Sequence, residues 1–231
     1  VTQPLLLIAI DGPAGAGKSA AARELAVRLG LPYVDTGAMY RAVALLALRA
    51  NLGPDLGAAG RAQVVGAAER MSVSFRGDPK AQRVLLDDED VTEALRDPAV
   101  SQMASVVSAI PEVRRVMVAR QRELAARSGG VVEGRDIGTV VFPDATLKVF
   151  LTAEPEVRAR RRFEELARRG GTASWESVLD EQRERDRRDS TRPDSPLRPA
   201  EGAVVVDTSR RTLAEVVDAL VALLPEPLRS P

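Results

Sequence analysis

The sequence predicts an α/β fold of three α/β/α layers, a central parallel sheet with helices on both faces, and three observations predict it. Short apolar runs such as LLLIAI, VVEG and LKVFL alternate with longer helix-patterned stretches, as strands buried on both faces require. A glycine-rich bend, DGPAGAGKS, joins the first of these runs directly to a helix. Around residues 71–92 the pattern changes to short β-like pieces, which predicts a small antiparallel ribbon inserted into the alternating chain. At 231 residues the chain can bury a full core as one domain carrying a smaller insert.

In order, Leu5 to Ile10 reads as a strand and Lys18 to Leu29 as a helix rich in Ala, Arg, Glu and Leu, all good helix formers. LPYVD is a short second strand, followed by a helix from Met39 to about Arg49. The Gly/Pro-punctuated NLGPDLG breaks the chain before another helix over Ala58 to Arg70. MSVSF, QRVLL and the neighbourhood of Val91 form the ribbon. Pro98 to Arg127 is helical with a break at Pro111, and VVEG and LKVFL are buried strands. Two arginine-rich helices, Pro155 to Arg169 and Trp175 to about Asp189, precede a last strand in AVVVDTS and a last helix from Leu213 to Leu224.

Composition excludes several chemistries. With no cysteine there is neither a disulfide framework nor a thiolate metal site, and with no histidine the usual general base near neutral pH is missing. Lys plus Arg equals Asp plus Glu at 33 each, so no overall charge points to nucleic acid or membrane surfaces. The apolar run near the start lacks a basic flank and ends in Asp-Gly-Pro, which fits a buried strand and not a signal peptide. No stretch reaches the roughly 18 apolar residues of a membrane span, since Glu215 and Asp218 interrupt the apolar tail. A cytoplasmic protein, monomeric for want of any heptad or long exposed apolar stripe, is the expectation.

The glycine bend carries the strongest chemical signal. Gly12, Gly17, Lys18 and Ser19 fit G-x-x-x-x-G-K-[ST], with the strand before and the helix after that the motif requires. A phosphate chain needs a concave ring of backbone N–H groups, and the helix starting at Lys18 aims its positive end at the same place. Gly12, Pro13, Ala14, Gly15, Ala16, Gly17, Lys18, Ser19 and Ala20 are therefore the expected nucleotide cradle, with Lys18 on the outer phosphates and Ser19 available to Mg²⁺. A glycine turn that merely closes a strand–helix unit would give no reason for the lysine and the hydroxyl. The G-x-G-x-x-G of a dinucleotide site is absent, and so is a guanine-reading Asn/Thr-Lys-x-Asp segment.

The acceptor is suggested by arginine. Between Arg158 and Arg192 stand 11 arginines and no lysine. A solvated, salt-bridged helix surface explains any one of them about as well, but planar five-donor forks suit two phosphate groups meeting at one site better than a solvated face requires.

At this point IDGPAGAGKS, DTGAMYR, ASVVSAIPEVR, EGRDIGTVVFPDA and RERDRRDSTR, in order over nearly the whole chain, resemble bacterial cytidylate kinases of the nucleoside monophosphate kinase family. The resemblance implies transfer of the γ-phosphate of ATP to CMP or dCMP, with Mg²⁺ as cofactor and UMP a poorer acceptor. It also implies one kinase domain over 1–231, with an inserted acceptor-binding region at 37–105 that includes the ribbon, and a lid at 155–175. Carried over residue by residue, Arg41, Arg135 and Arg192 would clamp the acceptor phosphate, with Arg185 near that phosphate and the sugar. Asp189 would accept from the ribose hydroxyls, Ser105, Arg114 and Asp136 would read cytosine, and Thr36 would stand near the acceptor. Arg160 to Arg162 resemble the lid over ATP; Arg161 and Arg162 would contact the nucleotide, and Arg162 would join Lys18, Arg135, Arg185 and Arg192 in catalysis. Asp35 resembles a carboxylate that holds a magnesium-bound water.

Read without the resemblance, the same residues have simpler explanations. Arg135 and Asp136 follow a buried strand at the end where α/β sheets bind ligands, although a salt-bridged loop would look the same. Thr36 could N-cap the helix after it, Ser105 and Arg114 could be structural, and Asp189 could be a counterion to its arginine neighbours. Tyr40, Trp175 and the phenylalanines read as packing. Two rivals to a cytidylate kinase stand beside it: a kinase with another acceptor, and a non-catalytic nucleotide-gated module whose arginines face outward to a partner.

Overall fold

The computed structural model describes residues 5–126 and 129–228. The chain forms two compact units, one of residues 1–33 with 129–231 and one of residues 34–128.

The first unit is built on a sheet whose strand order is β2-β6-β1-β7-β8, where β1 is Leu7–Asp11, β2 Tyr33–Asp35, β6 Gly130–Glu133, β7 Leu147–Thr152 and β8 Val204–Asp207. β1 pairs in parallel with both β6 and β7, Ile8 lying opposite Val131 and Leu147, and β7 pairs in parallel with β8. β6 is buried along its whole length and β1 along all but its first residue, which is why both read as unbroken apolar runs. Helices α1 (Lys18–Leu29), α6 (Pro155–Arg168), α7 (Trp175–Thr191) and α8 (Leu213–Ala222) complete this unit. α1 packs on β6 and α8, and α6 on α7. Ile8, Ile10, Leu25, Leu151 and Leu220 lie at the centre of its core. β1 and β6 are neighbours, yet β2 comes between them in sequence, so the strand order reverses beside β1. The loops after the carboxyl ends of these two strands flank such a switch point, the place where open α/β sheets bind ligands.

The second unit has its own core around Met39, Val43, Leu86, Val107 and Met117. It comprises α2 (Thr36–Arg49), α3 (Ala58–Arg70), α4 (Pro98–Val107), α5 (Pro111–Ala125) and an antiparallel ribbon of β3 (Val73–Arg76), β4 (Arg83–Leu86) and β5 (Glu89–Asp90). The expected ribbon is thus present, with its turns at RGDPKA and DDED.

Helix α2 begins at Thr36, three residues before the Met39 start that the sequence predicts. Asp35 and not Thr36 is its N-cap, since the Asp35 Oδ1 accepts from Ala38 N at 2.9 Å. The helical reading from Pro98 runs to Ala125, and its predicted last residue, Arg127, lies outside the described residues. After β6 the chain makes a π-helical turn over Ile137–Val141 that no periodicity foretold.

Candidate active site

The cradle begins where β1 ends. Gly12, Gly15 and Gly17 all have positive φ, which glycine adopts without strain. At Gly12 there is also no room: a Cβ would lie 2.0 Å from the Leu151 carbonyl oxygen on β7. The two requirements together fix this glycine.

Gly17 offers helix α1 no side-chain cap, and the first turn carries no acidic residue. The N–H groups of that turn are left for a ligand, and the helix dipole favours an anion there.

The four carbonyls from Pro13 to Ala16 are each held by a side chain of this unit. Lys18 Nζ donates to Pro13 O at 2.7 Å. Arg158 Nη1 and Gln182 Nε2 both donate to Ala14 O, at 3.1 and 2.9 Å. Arg161 Nη1 donates to Gly15 O at 3.3 Å, and Thr208 Oγ1 to Ala16 O at 3.0 Å. Arg161 is further tied to Thr208, through Nη1 to Oγ1 at 3.0 Å and Nη2 to the carbonyl at 2.7 Å. Ala20 is exposed on α1 and can offer only its backbone.

Lys18 is 6 % exposed. Its pKa is well below that of an ordinary lysine, chiefly because burial disfavours the charge and then because Arg135 and Arg185 repel it, while Glu133 and Asp11 oppose the shift. Three basic side chains held together in this way make a strongly positive place that favours a polyanion.

Two buried carboxylates frame this cluster. Glu133, the last residue of β6, accepts from Tyr33 Oη and, at 3.0 Å, from Ser19 Oγ. Arg23 lies over the Tyr33 ring with its Cζ 5.7 Å from the centroid. Asp11, the last residue of β1, accepts from the N–H groups of Ile137 at 2.8 Å and Gly138 at 2.7 Å. It thereby ties the end of the cradle strand to the π turn that follows Arg135 and Asp136. Burial raises the Asp11 pKa to about 6 in spite of those two donors.

Arg135 Nε donates to Asp189 Oδ2 at 3.0 Å. The Asp189 pKa is lowered, because the pull of Arg135, Arg185 and Arg192 outweighs burial, which is the largest single effect and acts the other way. Arg192 is the C-cap of α7, and its Nε donates to Ser195 O at 2.6 Å. Asp136 is buried at the start of the π turn, where its carbonyl accepts from Val140 N. Lys18, Arg135, Arg185, Asp189 and Arg192 are thus linked by charge or hydrogen bonds within this unit. Arg162 is not part of that set and pairs with Glu165 at 3.0 Å.

In the second unit, Asp35 Oδ2 accepts from Arg41 Nη2 at 2.8 Å, so Arg41 is held beside Thr36. Arg114 is buried, donates to Ser108 O at 3.3 Å and lies with its Cζ 5.9 Å from the Tyr40 centroid. Ser105 is buried, and its Oγ has no hydrogen-bond partner among the described residues.

The surface explanation of the arginine surplus holds for part of it. Arg162, Arg169, Arg183, Arg187 and Arg188 form exposed or half-exposed ion pairs, and Arg160 lies over Trp175 with its Cζ 5.2 Å from the centroid. Arg158 and Arg161 face the phosphate loop. Sequence reasoning passed over Asp11, Glu133, Arg158, Gln182 and Thr208. Asp11 and Glu133 carried a legible signal, each as the acid that ends an apolar strand in a phosphate-loop protein.

The sequence profile of the cytidylate kinase family matches residues 8–226. The chain belongs to the cytidylate kinase family. Curated cytidylate kinases similar to it include one from Caldanaerobacter subterraneus subsp. tengcongensis, 51% identical over 91% of each chain. Another, from Mycobacterium avium, is 52% identical over 93% of each. Among solved structures, an uncharacterized protein from Eubacterium ventriosum shares the fold at a TM-score of 0.50, with 11% identity over 94% of this chain and 96% of that one. Among the described residues of this cytidylate kinase family member, no helix is long and apolar enough to cross a membrane.

Proposed function

We propose that the protein transfers the γ-phosphate of ATP to CMP or dCMP, giving ADP and CDP or dCDP. The observation that carries this reading is the convergence of Lys18, Arg135 and Arg185 beside a loop whose helix lacks a side-chain cap. The reaction needs no general base, because the attacking oxygen belongs to an ionised phosphate monoester, and this suits a chain without histidine. Catalysis reduces to aligning two anions, offsetting their charge and excluding water. The loop from Gly12 to Ala20 holds the triphosphate by the backbone N–H groups of its residues other than Pro13, which has none, and Lys18 balances the charge on the group in flight.

In this reading Arg41, Arg135 and Arg192 clamp the acceptor phosphate, and Arg185 lies near both that phosphate and the sugar. Asp189 accepts from the ribose, Ser105, Arg114 and Asp136 read cytosine, and Thr36 stands near the acceptor. The buried Ser105 Oγ, without a protein partner among the described residues, is what a ligand-facing hydroxyl would look like. Residues 155–175 act as the lid, with Arg161 and Arg162 toward ATP. The partners are these small molecules alone, in the cytoplasm, and the protein works as a monomer.

The residues also suit Mg²⁺. Ser19 Oγ lies 3.0 Å from the Glu133 carboxylate. Among the described residues there is no cluster of three or more potential ligands, so such an ion would have to be held mainly by phosphate oxygens and water. Ser19 would hold it directly, and Glu133 and Asp35 through water. When bound, Mg²⁺ neutralises phosphate charge and fixes the triphosphate geometry.

A panel of acceptors with coupled ADP detection tests the proposal. CMP and dCMP should stimulate ADP formation strongly, with UMP roughly 10- to 1,000-fold lower in kcat/KM. Equal stimulation by AMP or UMP, or ADP formation independent of any acceptor, would contradict it.

A further inference from the structure

We propose that Arg158 and Gln182 are positioning residues of the donor site, which fix the Ala14–Gly15 peptide of the phosphate loop and so set the affinity for the triphosphate. This rests on the reading of that loop as the ATP site. Both side chains donate to one oxygen, Ala14 O. A trans peptide places its N–H opposite its C=O, and no cis bond occurs among the described residues, so holding that oxygen against α6 and α7 turns the Gly15 N–H away from them.

Arg158 is engaged by protein on all three of its nitrogens. Its Nε donates to Ala153 O at 2.9 Å, and its Nη2 pairs with Asp186 at 2.8 Å. A buried guanidinium engaged on three nitrogens by protein is placed to support the loop, although it lies in the segment 155–175 that the resemblance implies as the lid. Gln182 is 7 % exposed, and an unpaired amide there would be costly, so its bond to Ala14 O is well enforced. The contact is also close: a Cβ on Gly15 would come 2.9 Å from Arg158 Cβ and 3.1 Å from Gln182 Nε2. The bend, the arginine and the glutamine are packed as one block.

Along α7, Gln182 faces the loop, Asp186 holds Arg158, and Asp189 holds Arg135. Their spacing places all three on one face of the helix. That face supports the donor loop at one end and an arginine assigned to the acceptor at the other.

Gln182→Met keeps the volume and removes the donor. Calorimetry with ATP and no acceptor should show Kd raised about fivefold, as expected for one hydrogen bond lost from a preorganised loop. The kcat/KM for ATP should fall at least as far, with KM for CMP within about twofold and Tm within a few degrees of wild type. Arg158→Lys, checked for folding by circular dichroism, should weaken ATP binding further because it loses the fork. Unchanged ATP affinity in Gln182→Met overturns the proposal, as does a parallel loss of ATP and CMP binding with a lowered Tm, which would mark a general structural role. Because the calorimetry needs no acceptor, a selective loss of ATP affinity supports the proposal even if CMP is not the acceptor.

Discussion

Lys18→Ala is expected to cut phosphoryl transfer to CMP by roughly 100-fold or more while leaving the protein folded. The side chain is buried and donates to Pro13 O, one of the four carbonyls that shape the cradle. Without ligand its charge is a burden, since burial and the nearby Arg135 and Arg185 both oppose it. Removing it relieves that repulsion, so the fold should survive the loss of one hydrogen bond. With ATP bound the balance reverses. The charge then faces the outer phosphates, and its effect is greatest as the γ-phosphoryl group leaves, so the loss should fall on kcat more than on the KM for ATP. Turnover within about threefold of wild type would end this assignment.

Asp136→Asn should collapse the preference for CMP over UMP, measured as the ratio of kcat/KM, by at least about tenfold. Cytosine presents an exocyclic amino donor where uracil presents a carbonyl. An ionised carboxylate accepts from the first and faces a lone pair in the second, and in a buried place that mismatch is costly. The asparagine can turn an N–H toward uracil O4. Most of the change should come from poorer use of CMP, with ATP binding near its original value. Asp136 opens the π turn whose first N–H groups Asp11 holds, so its backbone is fixed independently of its side chain. An unchanged ratio would place base reading elsewhere and leave Asp136 with a supporting role.

Much of the fold was legible because hydrophobic period reports burial directly. LLLIAI and VVEG read as buried strands, a reading that holds from Ile8 in β1 and throughout β6, and the change of pattern near residue 71 marked the ribbon. Local competition was harder to read. Asp35 and Thr36 are both good caps, and the aspartate took the position because Arg41 and the Ala38 N–H could share its two oxygens. The π turn over IGTVV was invisible, since its first donors are satisfied by Asp11, a residue far away in sequence.

At the site, residue types with a charge pattern were found and contacts to backbone were not. Gly12, Lys18 and Ser19 announce themselves by spacing. Arg158 was lost among other arginines, and Gln182 and Thr208 have no signature, because a carbonyl oxygen accepts from any donor that reaches it. Glu133 looked like the end of a strand, which it also is.

The most direct test of the central claim follows the phosphate itself. With ATP labelled in its γ-phosphate and CMP as acceptor, the label should appear in CDP, and inorganic phosphate should remain a minor product because water is kept from the transferring group. Label accumulating as inorganic phosphate at the same rate with and without CMP would show a hydrolase or an idle nucleotide site and contradict the account.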